Sequence, residues 1–442
     1  MTIEEHIPAA ADAMSSGKRL GTFDAFVELA ITTARSGRND GLAITSSHPL
    51  LNGAAYLAFR KTVDIKTRRE IGAFFSSENV AALLASKLLG VIDEDALVLD
   101  PTCGIGDLLI ARAAHLPLHE TLEKTLDAWG ARLAGFDTRE DLIRLCKGRL
   151  CIMARARGGF DEEIDPLAYF PNILVQDIFA EESHGLLSSA DAVVFNPPFG
   201  KIVWHEKLDW AAGKINAAAI FLDHLTLKIG PNVPVAAVLP EVLRCGARYG
   251  RFKSALAERG YSGSFEARGQ FDSWTDVDVF TTLLTRSDGP LWQSPIEPAN
   301  LSLGDRFEVR VGTVVPHRDP LAGPERAYIC AKTTPAWSTF TPTASRHHTG
   351  RAFLPPFVAI RRTSSPSDKM RAVGTIVEGD EPVAVENHLL VAIPNDGSVQ
   401  SCEALLALLQ SQAINDRLND LMRCRHLTTG AIRSLPWKLL DE

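Results

Sequence analysis

Val98-Leu-Asp-Pro-Thr-Cys-Gly-Ile-Gly-Asp-Leu-Leu109 combines a short apolar strand, a turn with two glycines and the start of a helix. Gly104 and Gly106 allow a ligand to approach the backbone of this turn closely. The turn lacks the Gly-x-Gly-x-x-Gly pattern, and Asp100 and Asp107 bring negative charge to it. Because negative charge disfavours a pyrophosphate, the stretch predicts a site for a cationic cofactor without phosphate groups.

Short apolar runs and helical stretches alternate along the chain from Leu97 onward. The runs are Leu97–Leu99, Ala131–Phe136, Ile173–Val175, Ala192–Phe195 and Val235–Leu239. Short strands separated by helices predict an α/β fold with a parallel, doubly wound sheet and ligands at the carboxyl ends of its strands. Two further runs, 263–271 and 277–284, are expected to close the sheet as an antiparallel pair.

Asn196-Pro-Pro-Phe199 directly follows the fourth of these runs. Two consecutive prolines donate no backbone hydrogen bond, so the chain leaves the sheet here and turns the Asn side chain and nearby carbonyls into a cleft. Two acceptors on the hydrogens of an adenine N6 amine would localise its lone pair toward an electrophilic methyl group. Phe199 would offer a stacking face to a flipped base. The alternative is a proline-rich turn that only ends a buried strand.

Two more acids follow predicted strands. Asp137 lies at the end of the strand after Asp100, where dinucleotide folds place an acid that accepts ribose hydroxyls. Asp177 ends a third predicted strand, Leu174-Val-Gln-Asp177, where a carboxylate can accept from an adenine amino group. A single aspartate after a strand commonly stabilises a turn by hydrogen bonding to the nearby backbone. Together with Asn196, the three aspartates stand at four consecutive strand ends that share one rim of the sheet, which favours a binding site.

The bulk composition predicts a multidomain globular protein. With 442 residues, of which 45% are hydrophobic and 23% charged, the chain is expected to form two or three domains. The start of the sequence has neither a basic nor an apolar leader region, so we expect a cytoplasmic protein with no membrane partner. Seven cysteines occur without any Cys-x-x-Cys pair, which predicts reduced thiols and no metal site.

The charge distribution is uneven. A net charge of −8 argues against non-specific coating of nucleic acid by the whole surface. Between residues 341 and 375, however, basic side chains far outnumber the single acid Asp368. They are Arg346, Arg351, Arg361, Arg362, Lys369 and Arg371, with His347 and His348. This cluster is either a nucleic-acid contact or an ordinary solvated loop.

Helical periodicity and proline content distinguish two further regions of the sequence. Residues 4–35 and 50–60 have helical periodicity and predict a small N-terminal helical cap. From Ser287-Asp-Gly-Pro290 onward, frequent prolines break the helical pattern and mark a new domain. Strand-like runs at 307–311, 357–361, 372–376 and 389–393 precede one predicted helix from Ser401 to about Leu421, so this domain is expected to be α+β.

The whole series resembles the amino-group DNA methyltransferases that use S-adenosylmethionine, which include the N6-adenine DNA methylases. The resemblance is to the gamma-type motif order, in which the cofactor motifs precede Asn-Pro-Pro-Phe and a recognition domain follows. Arg68-Arg-Glu-Ile-Gly-Ala-Phe-Phe-Ser-Ser77 resembles the family's Gly-x-Phe-Phe-Thr-Pro segment, although Ser76-Ser77 departs from Thr-Pro. Val235–Leu243 resembles the strand and Leu-Pro stretch that follow the catalytic loop.

The resemblance implies a Rossmann-like methyltransferase sheet and a role for each motif. Asn196 and the Pro197 carbonyl would hold the target amine, with Pro198 and the stacking Phe199 completing the catalytic motif. Asn196 would also border the cofactor, whose ribose would meet Asp137 and whose adenine would meet Asp177. The residues implied for the methionine part of the cofactor are Gly72, Phe74, Phe75, Ser76, Asp100, Cys103, Gly104 and Gly106.

The C-terminal part loosely resembles the recognition domains of restriction-modification proteins. By this resemblance Arg346, Arg361 and Arg362 are candidate DNA contacts, because arginines grip phosphates and hydrogen-bond base edges. The implied organisation is a helical region at 1–65, a methyltransferase domain at 66–290 and a target recognition domain at 291–442. Duplex DNA and a restriction or defence subunit are the expected partners.

The preferred hypothesis is therefore a site-specific adenine-N6 DNA methyltransferase that flips its target base. Two alternatives remain open. The motif also suits other planar amines, such as cytosine N4, an RNA base or a protein glutamine. The fold could instead serve as a DNA-binding or assembly scaffold with weak or no catalysis, which the Ser76-Ser77 departure and the acidic N-terminal cap would fit.

Overall fold

The structure is a computed structural model that describes residues 23–36, 38–39, 42–43, 48–51, 57, 78–205, 207–272, 275–293 and 299–437. These residues form two compact units. The first contains the described residues up to Pro240, with Arg251–Arg268 and Val279–Trp292. The second contains Glu241–Gly250, the described residues of 269–278 and those from Gln293 onward.

The first unit is built on an eight-stranded mixed sheet. Its strands are β3 (Val98–Asp100), β4 (Leu133–Asp137), β5 (Ile173–Val175), β6 (Ala192–Phe195), β9 (Val235–Pro240), β10 (Tyr261–Ser262), β11 (Phe265–Asp272) and β12 (Thr275–Arg286). Two short strand pairs lie outside this sheet. They are β1 (Arg38–Asn39) with β2 (Leu42–Ala43), and β7 (Lys201–Val203) with β8 (Lys214–Asn216). The strand order is β10-β12-β9-β6-β3-β4-β5, and β11 pairs with β12. Residues 269–272 of β11 and 275–278 of β12 belong to the second unit.

Strands β5, β4, β3, β6 and β9 are mutually parallel, and β12 runs antiparallel to β9. Every residue of β3, β6 and β9 is buried, as expected for strands covered on both faces. The predicted α/β class with a Rossmann-like, doubly wound sheet is thereby confirmed, and so is the antiparallel closure.

Helices of the first unit connect and cover these strands. They are α1 (Phe23–Ser36), α2 (Glu78–Leu88), α3 (Asp107–Ala113), α4 (Leu122–Gly130), α5 (Glu140–Gly158), α6 (His184–Ser189), α7 (Ala217–Lys228) and α9 (Gly250–Glu258), whose first residue belongs to the second unit. Helix α1 packs on α5 and represents the predicted helical cap. The remainder of that prediction, in residues 4–22, 52–56 and 58–60, lies outside the described residues.

The second unit combines two sheets with helices, which confirms its predicted α+β class. Its strands are β13 (Phe307–Val311), β14 (Glu325–Ile329), β15 (Thr339–Phe340), β16 (Ala344–His347), β17 (Phe357–Arg361), β18 (Gly374–Val377), β19 (Val383–Val385) and β20 (Leu389–Pro394), and its helices are α8 (Glu241–Cys245), α10 (Val399–Leu409), α11 (Gln412–Leu421) and α12 (Thr429–Arg433). One sheet has the order β13-β20-β17-β18-β15 and the other β16-β14-β19.

Alternating residues give the second unit two hydrophobic layers. Val358 and Ile360 of β17 belong to the cluster shared with the helices, whereas Phe357 and Ala359 belong to the cluster shared with β14 and β19. This alternation follows from the period of two in a strand. The sheet β13-β20-β17-β18-β15 is therefore the middle layer of this unit.

Two expectations require correction. The predicted single helix 401–421 is two helices, α10 and α11, because the Ser411 side chain accepts from the amide of Ile414 and starts a new helix. The expectation of reduced thiols is wrong for Cys245 and Cys424, which form a disulfide. The two cysteines are 179 residues apart in the sequence, so the spacing of nearby cysteines does not predict that they pair.

Candidate active site

The carboxyl ends of β3, β4, β5 and β6 open onto one cavity of about 300 Å³. Parallel strands bring their ends to one edge of the sheet, which explains the convergence. Of the predicted site residues, those that line the cavity are Asp100, Cys103, Gly104, Asp137, Asp177, Asn196 and Pro198. Gly106, Pro197 and Phe199 are not among the lining residues. Gly72, Phe74, Phe75 and Ser76 lie outside the described residues.

The turn after β3 takes the shape that its glycines allow. Gly104 and Gly106 have φ values of +50° and +86°, in the region that favours glycine. A Cβ atom at Gly106 would lie 2.5 Å from the sulfur of Cys146. Gly106 thus makes room for a side chain of α5, whereas Gly104 borders the cavity. Asp107, which follows Gly106, accepts from the buried Arg149 guanidinium at 2.8 Å.

Asp100 is the most buried acid of the cavity, with an exposure of 1%. Its Oδ1 accepts from the amide of Thr102 at 3.1 Å. Burial raises the pKa of Asp100 to about 8, and the nearby Asp137 and Asp107 carboxylates add to the increase. A cation bound beside Asp100 would favour its ionised form and lower this pKa again.

Asp137 connects two segments of the cavity rim, the turn after β3 and the residues that follow β4. Its carboxylate accepts from the amide of Gly104 at 3.2 Å and from the amide of Arg139 at 3.0 Å. Burial raises the pKa of Asp137, and these two hydrogen bonds oppose the increase. A carboxylate has about four lone-pair positions, so it can hold this turn and still accept from a ligand hydroxyl.

The far side of the cavity is aromatic. Asp177 lies two residues beyond the end of β5 and accepts from the amide of Phe179, so it belongs to a turn rather than to the strand in which it was expected. Phe179 and Phe221 both line the cavity, with ring centroids 4.8 Å apart and their planes nearly perpendicular. This end therefore offers a polar acceptor beside a flat apolar surface, a combination that suits a purine. Phe179 and Phe221 were not predicted as cavity residues, because no local sequence pattern connects the two positions.

The Asn-Pro-Pro-Phe motif follows β6 directly, as expected. The Asn196 carbonyl accepts from the Thr102 hydroxyl at 3.2 Å, which joins the motif to the turn after β3. The carbonyl of Phe199 accepts from the amide group of Asn216 at 2.9 Å. The Phe199 side chain is only 5% exposed. Stacking on a flipped base would therefore require this ring to move.

The arginines of the basic cluster between residues 341 and 375 lie in different environments. Arg371 is fully buried, and its guanidinium donates to the carbonyls of Met422 and Cys424, so it is structural rather than a contact for nucleic acid. Arg361 and Arg362 are half-buried and each donates to a backbone carbonyl.

Arg346 lies directly opposite Arg326 in the β14–β16 ladder. Ala327 and Ile329 of β14 pack on the core, so Arg326 and Arg346 occupy the opposite face of that sheet. Neither makes an ion pair with an acid within the described part of the chain. Arg326 was not predicted as a candidate DNA contact, because only the fold places it opposite Arg346.

Two kinds of feature are absent from the described residues. No helix among them is long and apolar enough to cross a bilayer. In the same residues, no group of three or more His, Cys, Asp or Glu side chains is placed to hold a metal ion.

One family model matches part of the chain. Residues 51–261 match the family N-6 DNA Methylase. No curated protein matches the sequence significantly. The structure of the type IIL restriction-modification enzyme MmeI in complex with DNA aligns with a TM-score of 0.53 and 14% identity, over 88% of this chain and 71% of that chain. At this identity the similarity establishes the fold.

Two other solved structures align over shorter shares of their own length. The M protein of the type I restriction enzyme EcoKI aligns with a TM-score of 0.38 and 14% identity, over 64% of this chain and 60% of that chain. The type IIG restriction endonuclease BpuSI aligns with a TM-score of 0.39 and 13% identity, over 94% of this chain and 61% of that chain.

Proposed function

We propose that this chain transfers a methyl group from S-adenosylmethionine to the N6 amine of a flipped adenine in duplex DNA, because residues 51–261 match the family N-6 DNA Methylase. The observation that carries the proposal is the single cavity shared by Asp100, Asp137, Asp177 and Asn196. Acids and an amide from four strand ends converge there, which suits a cationic donor and a planar amine.

The residues present fit S-adenosylmethionine. The cavity volume of about 300 Å³ is at the lower end of the range for small-molecule sites. Asp100, Cys103 and Gly104 would hold the methionine part, Asp137 the ribose hydroxyls and Asp177 the adenine amine, beside Phe179. When bound, the cofactor supplies a methyl group on a cationic sulfur. Gly72, Phe74, Phe75 and Ser76 remain predicted contacts.

The catalytic role falls to Asn196 and its neighbours. The Asn196 side chain and the Pro197 carbonyl would accept hydrogen bonds from the target amine and direct its lone pair toward the methyl carbon. Pro198 borders the cavity and fixes the backbone of the loop. Phe199 would stack on the flipped base after its ring moves out of its buried position.

The second unit would bind the DNA. Like charges directly opposite on a sheet are destabilising, so an anion bound between Arg326 and Arg346 would stabilise the pair. A backbone phosphate has the required charge and geometry. Arg361 and Arg362 would contribute only through the guanidinium nitrogens that their backbone carbonyl contacts leave available.

The domain assignment follows from these roles. We assign 1–65 to a helical N-terminal region, 66–290 to the methyltransferase domain and 291–442 to target recognition. The start of the second unit's main segment at Gln293 supports the last boundary. A restriction or defence subunit is the proposed partner, by analogy with the restriction-modification enzymes of similar fold.

Labelled methyl transfer tests the activity. The full chain would be incubated with tritiated S-adenosylmethionine and unmethylated duplex DNA, followed by nucleoside analysis. N6-methyladenine is the expected product, and N4-methylcytosine would reassign the target amine. Binding of the cofactor without incorporation into any DNA would contradict the proposal and favour the scaffold hypothesis.

Substitution of Asn196 tests the assigned chemistry. Asn196→Ala removes one acceptor that is engaged only during transfer, so kcat should fall by roughly 10²–10³-fold. The Kd for S-adenosylmethionine, measured by calorimetry, should stay near the wild-type value. An equal loss of transfer and cofactor affinity would show that Asn196 holds the cofactor rather than the base.

A further inference from the structure

Asn216 is a buried side chain, 5% exposed, that joins two backbone segments. Its Oδ1 accepts from the amide of Ala218 at 3.0 Å and caps the N-terminus of α7. Its Nδ2 donates to the carbonyl of Phe199 at 2.9 Å. One amide therefore fixes the start of a helix and the end of the Asn-Pro-Pro-Phe loop at the same time.

Other contacts hold the same loop. The amide of Ala217 donates to the carbonyl of Gly200 at 2.7 Å, next to the contact made by Asn216. At the opposite end of the loop, the Thr102 hydroxyl donates to the carbonyl of Asn196 at 3.2 Å. The loop 196–200 is thus attached to the turn after β3 at one end and to α7 at the other.

The loop depends on such outside donors because of its own sequence. Pro197 and Pro198 have no N–H group, so the loop has few backbone hydrogen bonds with which to fix itself. The carbonyl of Pro197 and the side chain of Asn196 must nevertheless be placed accurately, since an error of about 1 Å in a reacting geometry can cost roughly 10²-fold in rate.

We propose that Asn216 and Thr102 are positioning residues that clamp the Asn-Pro-Pro-Phe loop from its two ends. This inference rests on the proposed methyl transfer for its kinetic consequence. Neither residue is assigned to contact the target base. Each acts through a loop carbonyl, and the hydrogen bond to Phe199 keeps the acceptors of the loop in place when the base enters.

Asn216→Asp separates positioning from helix capping. The aspartate keeps the acceptor for Ala218 and adds a favourable negative charge at the N-terminus of α7. It removes the donor to Phe199 and sets an oxygen against the Phe199 carbonyl. We expect kcat to fall by about 10²-fold at a temperature where the protein is folded, with an unchanged Kd for S-adenosylmethionine and a lower Tm, because a buried carboxylate then faces a carbonyl. Asn216→Ala should lower both kcat and Tm.

Two comparisons control this experiment. Thr121→Ala removes the N-cap of α4, which lies outside the loop, so it should lower Tm and leave kcat unchanged at a temperature where the protein is folded. At the other end of the loop, Thr102→Val should lower kcat, whereas Thr102→Ser retains the hydroxyl and should restore it.

Amide hydrogen exchange gives a readout that does not need activity. In Asn216→Asp, the peptide covering residues 195–203 should exchange faster than in wild type, and a peptide from α4 should not. A wild-type kcat or a wild-type exchange rate in this variant would overturn the inference. An inactive wild-type protein would instead overturn the proposed function, and the exchange rates would still decide whether the clamp exists.

Discussion

Asp100 combines almost complete burial with a position on the cavity wall. Burial raises its pKa to about 8, so the ligand-free protein at neutral pH holds this carboxyl mainly in its protonated form. An unfolded chain would ionise it near pH 4. The folded state therefore binds more protons between these two pH values, and the contribution of Asp100 to stability decreases as pH rises through that window.

Cofactor affinity should depend on pH through the same group. A sulfonium favours the carboxylate, so the Kd for S-adenosylmethionine should decrease as pH rises from 6 toward about 8. Calorimetry at pH 7 in buffers of different ionisation enthalpy should show a proton released on binding. Affinity that is independent of pH, with no proton release, would contradict this assignment.

Asp100→Asn provides the control for both effects. The amide retains an acceptor for Thr102 but cannot ionise, so the pH dependence of cofactor binding should largely disappear. Its free energy of unfolding at pH 8 should exceed that of wild type, by up to about 1.4 kcal/mol for each pH unit between the two pKa values. Cofactor affinity should be lower at every pH.

Among the secondary-structure elements, α1 and α5 are joined by a buried arginine. Arg155 of α5 is 1% exposed and donates to the carbonyls of Ala34 and Arg35 at the end of α1, at 2.8 and 2.9 Å. It also donates to the carbonyls of Phe160 and Glu162. The last carbonyls of a helix have no partner within the helix, so this guanidinium supplies one.

Arg155→Met should destabilise the first unit strongly. The substitution keeps most of the side-chain volume and leaves buried carbonyls without donors, at a cost of about 3–5 kcal/mol. Urea unfolding measures the change. Arg144→Ala is the matched control on the same helix, because its ion pair with Glu28 of α1 is partly exposed and should contribute about 0–1 kcal/mol. Similar losses in both variants would contradict the role given to Arg155.

Elements with a strong local pattern were predicted well. The parallel strands of the first unit and the four strand-like runs after residue 300 appear close to their expected positions. The strands β14, β15, β16 and β19 were missed, since they are short and two of them, β14 and β16, carry charged side chains. Their pairing depends on neighbours that are far away in the sequence, such as β14 with β19.

For the whole molecule, the salt dependence of DNA binding tests the second unit. Removing one arginine that binds a backbone phosphate should reduce the slope of log K against log salt concentration by about 1. The double variant Arg326→Ala and Arg346→Ala should therefore reduce the slope by about 2, with weaker binding to every sequence. Fluorescence anisotropy at several salt concentrations measures this slope.

Arg310→Ala controls for net charge in this experiment. Arg310 is exposed on β13 and paired with Glu308, so its removal should leave the slope nearly unchanged. An equal change in slope for Arg310→Ala would mean that overall charge, rather than the β14–β16 face, determines binding. Near-ultraviolet circular dichroism checks that the double variant stays folded, because Arg346 also donates to the carbonyl of Asp319.

The sequence by itself determined the class of fold, the order of the motifs and the polar residues that the four strand ends bring to the cavity. Those features depend on local physics: strand and helix periods, the conformational freedom of Gly104, and prolines that end a strand. Only the tertiary structure decided that Gly106 makes room for Cys146, that Arg371 is structural, and that Arg326 faces Arg346. Asn216 and Thr102 likewise became visible only in the fold, because their partners lie far along the chain and no period in the sequence records such contacts.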